Sequence, residues 1–248
     1  MIPIIQSQPE QPQPPLRWRQ LMAWGVHLFT ASGVVWGVLA VMAIFQQHWL
    51  LAFLWMAMAV AVDSFDGMLA RRAQVQEMLP HFDGALLDNI VDYFNYVVVA
   101  VIFLYQADIL PPGFSLPAGM VILLVSAYQF CQVDAKTCDH YFKGFPSYWN
   151  VTVFYMFMLG LNPWVNLAFL AFFALLVFVP IKYVYPSRTT RMRNLTIALT
   201  MVWGGLTLAA ILQFPTPQRW LLWASLLYVI YYALLSLYST FKQRREAV

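Results

Sequence analysis

Residues 63–71 read D-S-F-D-G-M-L-A-R, and after a gap of twelve residues positions 84–92 read G-A-L-L-D-N-I-V-D. Both ends of this stretch merge into long apolar runs. Ionised side chains at membrane depth are costly, so Asp63, Asp66, Asp88 and Asp92 are functional candidates by default. At 100° per residue, Asp63, Asp66 and Ala70 fall within about 60° of one another on a helix, with Gly67 beside them. Gly84, Asp88 and Asp92 step by four and form a second stripe. Two helices meeting along these stripes would aim four carboxylates at one point. Like charges raise one another's pKa in a poorly solvated place, so a counter-ion is required. Hard divalent cations, which take oxygen ligands, are the natural choice. The small residues Gly67, Ala70 and Gly84 would let backbones or a bulky ligand come close.

The composition fixes the solvent. The 248 residues are 61% hydrophobic and 10% charged, against about 25% charged for soluble domains. Such a chain cannot clothe itself in polar surface and is expected to be an integral membrane protein. Residues 1–16, rich in Pro and Gln, read as a disordered tail, and 17–248 as a single transmembrane domain. No cleavable signal peptide is expected, since the tail has no apolar core. Cys131 and Cys138 have no metal-site spacing and are expected to be unpaired thiols.

Apolar stretches near 21–46, 49–71, 84–106, 116–134, 147–161, 163–182, 194–213 and 219–241 predict an all-α, polytopic protein of about eight transmembrane helices. The stretch 147–161 is short and reads as a possible half-helix. An even number of spans puts both termini on one side. Of the 14 Lys and Arg residues, only Arg219 falls on the opposite side, so the side of the termini is cytoplasmic by the positive-inside rule. Asp63 lies about 21 Å along the second span, which sets the acidic cluster in the cytoplasmic leaflet, facing the cytosol. Asp83, just before Gly84, is expected to cap the third span.

The pattern D-x2-D-G-x2-A-R followed by G-x3-D-x3-D resembles the signature of the CDP-alcohol phosphotransferases, integral membrane enzymes of phospholipid synthesis. Asp63, Asp66, Gly67, Ala70, Arg71, Gly84, Asp88 and Asp92 fill every fixed position. The twelve-residue gap is longer than the family's usual spacing. Together with eight predicted spans it looks like the bacterial phosphatidylcholine synthase branch. The segments H-L-F-T-A-S-G (27–33), Y-F-K-G-F-P-S-Y-W-N (141–150) and Y-P-S-R-T (185–189) are similar to that branch too.

The resemblance implies a catalytic domain that makes phosphatidylcholine and CMP from CDP-diacylglycerol and choline. It implies two ions per site, Mn²⁺ or Mg²⁺, on Asp63, Asp66, Asp88 and Asp92, with Asp92 also the general base. It implies a CDP pocket lined by Asp63, Gly67, Ala70, Arg71 and Gly84. It further implies a homodimer in a bacterial inner membrane. Serine is the alternative acceptor within the family, and a cation-coupled transporter is the alternative outside it.

Several residues keep two readings. Lys143 could hold a lipid phosphate or merely satisfy topology, and Arg188 could hold the substrate's phosphate or anchor to anionic headgroups. Arg191 and Arg193 read first as anchors to anionic headgroups. A quaternary ammonium must be recognised by aromatic faces and anions. Tyr148, Trp149, Tyr93, Tyr96 and Tyr185 could supply the faces, or could belong to an interfacial aromatic belt. His81, His140, Asp134 and Asp139 read as solvated loop residues.

Overall fold

The computed structural model describes residues 15–135, 137, 141–185 and 192–246. Most of the expected tail therefore lies outside the described residues, and the first helix begins directly after Pro15. The helices are α1 (Leu16–Phe45), α2 (Trp49–Arg72), α3 (Val75–Met78) and α4 (Gly84–Asp92). A π-helical turn, Tyr93–Val98, joins α4 to α5 (Val99–Gln106). Then come α6 (Ser115–Cys131), α7 (Trp149–Leu159), α8 (Pro163–Leu176), α9 (Arg193–Leu212) and α10 (Arg219–Glu246).

Each expected apolar stretch is thus a helix, and five are long and apolar enough to cross a membrane: α1, α2, the α4–α5 rod (Gly84–Gln106), α9 and α10. The chain is a multi-pass membrane protein. The other three fall short: α6, α7 and α8 have 17, 11 and 14 residues, where hydrocarbon needs about 20. The chain leaves α8 at Leu176, before the expected end near 182, because Lys182–Val184 forms a strand. This β2 pairs antiparallel with β1 (Tyr141–Lys143), Phe142 opposite Tyr183. The small two-stranded ribbon departs from the expected all-α fold. Gly144 makes it possible: its φ is +80°, and a Cβ there would meet the Val177 carbonyl oxygen at 2.3 Å.

Solvent-facing and core positions follow the membrane rather than water. Leu28, Val35, Met42, Met201, Trp223, Leu227 and Leu234 are exposed, as expected where hydrocarbon is the solvent. Phe53 on α2, Phe103 on α5 and Phe154 on α7 pack with ring centroids 5.1 and 5.3 Å apart. This aromatic core sits in the first turns of α2, far along the helix from Asp63. Polar rungs tie the C-terminal helices. Trp203 donates to Tyr155 (2.9 Å), Tyr155 to Ser225 (2.8 Å), and Thr200 shares a bond with Tyr228 (2.7 Å). In lipid such bonds and close packing hold helices together.

α1 is the helix that positions the site. It packs along α2 and also touches α3, α4, the π-helical turn and α5. Its buried stripe is His27, Thr30, Gly33, Gly37 and Ala40, spaced by three and four and small at its centre. A Cβ on Gly37 would lie 2.2 Å from Asn95 Oδ1 and 2.6 Å from the Phe94 ring. The stripe is small because the turn after Asp92 lies directly against it. Overpacking costs about 1–3 kcal/mol, so Gly37→Ala is expected to lower the thermal unfolding temperature in detergent. Gly25→Ala, where a Cβ meets nothing within 4 Å, is the control expected to leave it unchanged.

Candidate active site

α2 carries Asp63 and Asp66, and α4 carries Asp88 and Asp92. One carboxylate oxygen from each of Asp63, Asp88 and Asp92 lies within 4.8 Å of the others, and all three side chains are half-buried. The i,i+4 spacing puts Asp88 and Asp92 on one face of α4, turned toward α2. Asp83 caps α4 as expected, its Oδ1 accepting from the Leu86 amide at 2.9 Å, which fixes where the Asp88 stripe begins. Asp66 is deeper, 6% exposed, and is not one of the three converging carboxylates. Thr30 on α1 and the Gly67 backbone lie beside its carboxyl, and Asp88 and Asp63 are close enough to repel it. Asp63 receives a second-helix contact as well: Tyr96 Oη donates to its Oδ2 at 2.6 Å.

The small positions of the motif serve two purposes. Beside Gly67 lies the Arg71 guanidinium, 3.3 Å from where a Cβ would sit. Arg71 is exposed, and Ala70 lies half-buried between them and α2's end. Gly84 opens α4 against the His27 ring, whose Cε1 would be 2.6 Å from a Cβ. His27 is itself held between Phe82 and Trp24, with centroids 4.3 and 5.9 Å away. Gly67 therefore leaves room beside an exposed cation, whereas Gly84 leaves room for a packed aromatic cluster.

The remaining expectations are placed unevenly. Tyr148 has its ring 5.9 Å from that of Tyr96 and 6.5 Å from that of Tyr232, next to the acidic cluster. Trp149 is 0% exposed, packs on Phe145 and donates its ring N–H to Ser126 at 2.7 Å. It is a core residue with no open face for a cation. Tyr93 donates to the Leu123 carbonyl (3.0 Å) and packs edge-on to Phe130. Tyr185 stacks on Phe142 at 4.8 Å. Lys143 is ion-paired to Asp134 at 2.6 Å, which raises its own pKa and holds the Asp134 carboxyl below the usual range. It lines a pocket of about 240 Å³ with Tyr128, Gln132 and Phe178. His81 is exposed. Arg193 opens α9 and is exposed. Arg188, Arg191, Cys138, Asp139 and His140 lie outside the described residues, and Cys131 is a free thiol.

The donor set fits a divalent cation. An ion about 2.1 Å from each ligand spans oxygens up to about 4.2 Å apart, so a small closure of three all-oxygen ligands suffices. The model of one family, described as CDP-alcohol phosphatidyltransferase, matches residues 27–231. The chain belongs to that family. It is a membrane-embedded transferase. Among its relatives, a phosphatidylcholine synthase of Legionella pneumophila is 44% identical over 92% of this chain and 93% of its own length. A phosphatidylcholine synthase of Pseudomonas aeruginosa is 46% identical over 73% of this chain and 76% of its own. One from Borreliella burgdorferi is 36% identical over 91% and 97%.

Reading the sequence alone missed how α1 serves the site. Thr30 lies beside Asp66, His27 backs Gly84, and Gly33 accepts from Asn95 Nδ2 at 3.1 Å. The i, i+3, i+6 spacing of His27, Thr30 and Gly33 was a visible signal, but nothing in one sequence says which helix faces that stripe. The two glycines make opposite predictions for stability. Gly67→Ala meets only the tip of a flexible side chain and gains helix propensity of up to about 1 kcal/mol. Its unfolding temperature is expected to stay level or rise. Gly84→Ala strikes a packed ring and is expected to lower it, as followed by thermal unfolding in detergent.

Proposed function

We propose that this protein is a phosphatidylcholine synthase, transferring the phosphatidyl group of CDP-diacylglycerol to choline and releasing CMP. The observation that carries the reading is the convergence of carboxylates from α2 and α4, on residues that match the family signature. The acceptor rests on relatives that cover 73–92% of the chain, all three of which bear that name.

In this reading Asp63, Asp66, Asp88 and Asp92 hold two divalent ions, Mn²⁺ or Mg²⁺, with Asp66 entering from its place beside Thr30. The ions would neutralise the diphosphate and the charge that develops on departing CMP. Asp92 takes the proton of the choline hydroxyl, since a free alcohol is a poor nucleophile at neutral pH. The choline oxygen then bonds to the phosphatidyl phosphorus as the phosphorus–oxygen bond to CMP breaks, and CMP leaves with that electron pair. Gly67, Ala70 and Arg71 border the CDP, with Arg71 offering its guanidinium to a phosphate. Gly84 contributes indirectly, by seating α4 on His27. Tyr148 is the aromatic residue best situated to face the choline ammonium, and Lys143 is available to a lipid phosphate if it exchanges Asp134 for it.

The same reading takes all eight apolar segments as crossings, with both termini cytoplasmic and the acidic cluster opening to the cytosolic face of a bacterial inner membrane. The distribution of basic residues supports that orientation. A homodimer is the expected working unit.

The decisive assay uses purified protein, CDP-diacylglycerol, Mn²⁺ and a panel of alcohols, with CMP release as the readout. Choline is expected to support release, and chelator to abolish it reversibly. Release with serine instead of choline would overturn the acceptor. Asp92→Asn is expected to lower turnover by at least about 10²-fold with an unchanged thermal unfolding profile; full activity of that variant would refute the mechanism.

A further inference from the structure

The π-helical turn Tyr93–Val98 begins at the residue after Asp92, and π-turns inside helices are concentrated at functional sites. Its geometric effect here is specific. In an α-helix, positions 88, 92 and 96 drift round the axis by about 40° at each step of four. A π-turn bonds i to i+5 and rotates each residue by less, so the drift is reversed after Asp92. Position 96 returns to the line of Asp88 and faces α2. The turn is fastened on its other side by α1, where Asn95 Nδ2 donates to the Gly33 carbonyl and the close approach needs Gly33 and Gly37.

Tyr96 is the residue this arrangement delivers. It is 7% exposed, and its hydroxyl donates to Asp63 Oδ2 at 2.6 Å, bridging the two helices that carry the acidic stripes. We propose that Tyr96 is a positioning residue for the metal centre. Its hydroxyl fixes the Asp63 carboxylate so that this ligand meets Asp88 and Asp92, and the π-helical turn exists to bring it there. A carboxylate held by a hydrogen bond in this way is oriented before an ion arrives, and outer partners of this kind are worth about 10- to 100-fold in metal affinity. The ring is held in turn by Tyr148, edge-on at 5.9 Å, and Tyr148 packs on Tyr232.

This inference rests on the proposed metal-dependent function, and a binding measurement separates the two. The free full-length protein in detergent, without substrate, is titrated with Mn²⁺ and free ion is followed by electron paramagnetic resonance. Absence of Mn²⁺ binding by the wild-type protein defeats the parent reading. If the wild type binds, Tyr96→Phe is expected to bind Mn²⁺ about 10- to 100-fold more weakly, and its CMP release to recover as Mn²⁺ is raised. Tyr228→Phe, which removes a half-buried hydroxyl bonded to Thr200, is expected to bind as the wild type does. Equal affinity in Tyr96→Phe, or equal weakening in both variants, overturns the proposal. A second measurement keeps the hydroxyl and so avoids any folding defect. With 3-fluorotyrosine at position 96, the fluorine resonance is expected to shift on addition of Mg²⁺, and an unmoved resonance likewise overturns it.

Discussion

Three carboxylates within 4.8 Å of one another, half-buried between apolar helices, repel strongly unless positive charge joins them. Everything near them answers that constraint. α2 and α4 must come close enough for their acids to share a point, and α1 makes this possible by presenting glycine where the turn after Asp92 presses on it. The repulsion is then eased locally by a donor, the Tyr96 hydroxyl to Asp63. An ion among the three carboxylates would ease that repulsion further.

Rigidity comes from elsewhere in the same helices. α2 is anchored in its first turns by Phe53 against Phe103 and Phe154, while its acids lie in its second half. Packing of large rings at one end and converging acids at the other divides the labour along a single helix. Aromatic contacts set the angle at which α2 meets α5 and α7, and that angle determines where Asp63 and Asp66 arrive. The hydroxyl and indole bonds among α7, α9 and α10 hold the second half of the chain without apolar driving force, which lipid does not provide between helices.

Much of this was legible in the sequence. The apolar stretches mark the helices because hydrocarbon thickness imposes a length, and the D-x2-D and G-x3-D-x3-D spacings name the faces. Asp83 as a cap followed from its place before Gly84. What was not legible depended on partners distant in sequence. Asp66 and Asp63 look equivalent in a motif, yet only the packing of α1 gives Asp66 to Thr30. Tyr148 and Trp149 are neighbours with the same aromatic promise, but helix phase turns one toward the acids and buries the other against Ser126. The end of α8 was misjudged because hydropathy continues past it, whereas the backbone leaves the helix to form β2. The π-helical turn has no hydropathy signature at all, since it changes rotation and not composition.

The two-stranded ribbon carries one more implication. Two three-residue strands beside a membrane would leave amides bare, which hydrocarbon does not forgive. Here α10 completes them: the Lys182 amide donates to Thr240, the Val184 amide to Ser236, and Tyr232 donates to the Val184 carbonyl. Side-chain hydroxyls thus play the part of a missing third strand. The outer margin of the ribbon is sealed against recruiting any foreign peptide, and the segment entering Tyr148 is tethered to the last helix of the chain, so that displacement of either is felt by both.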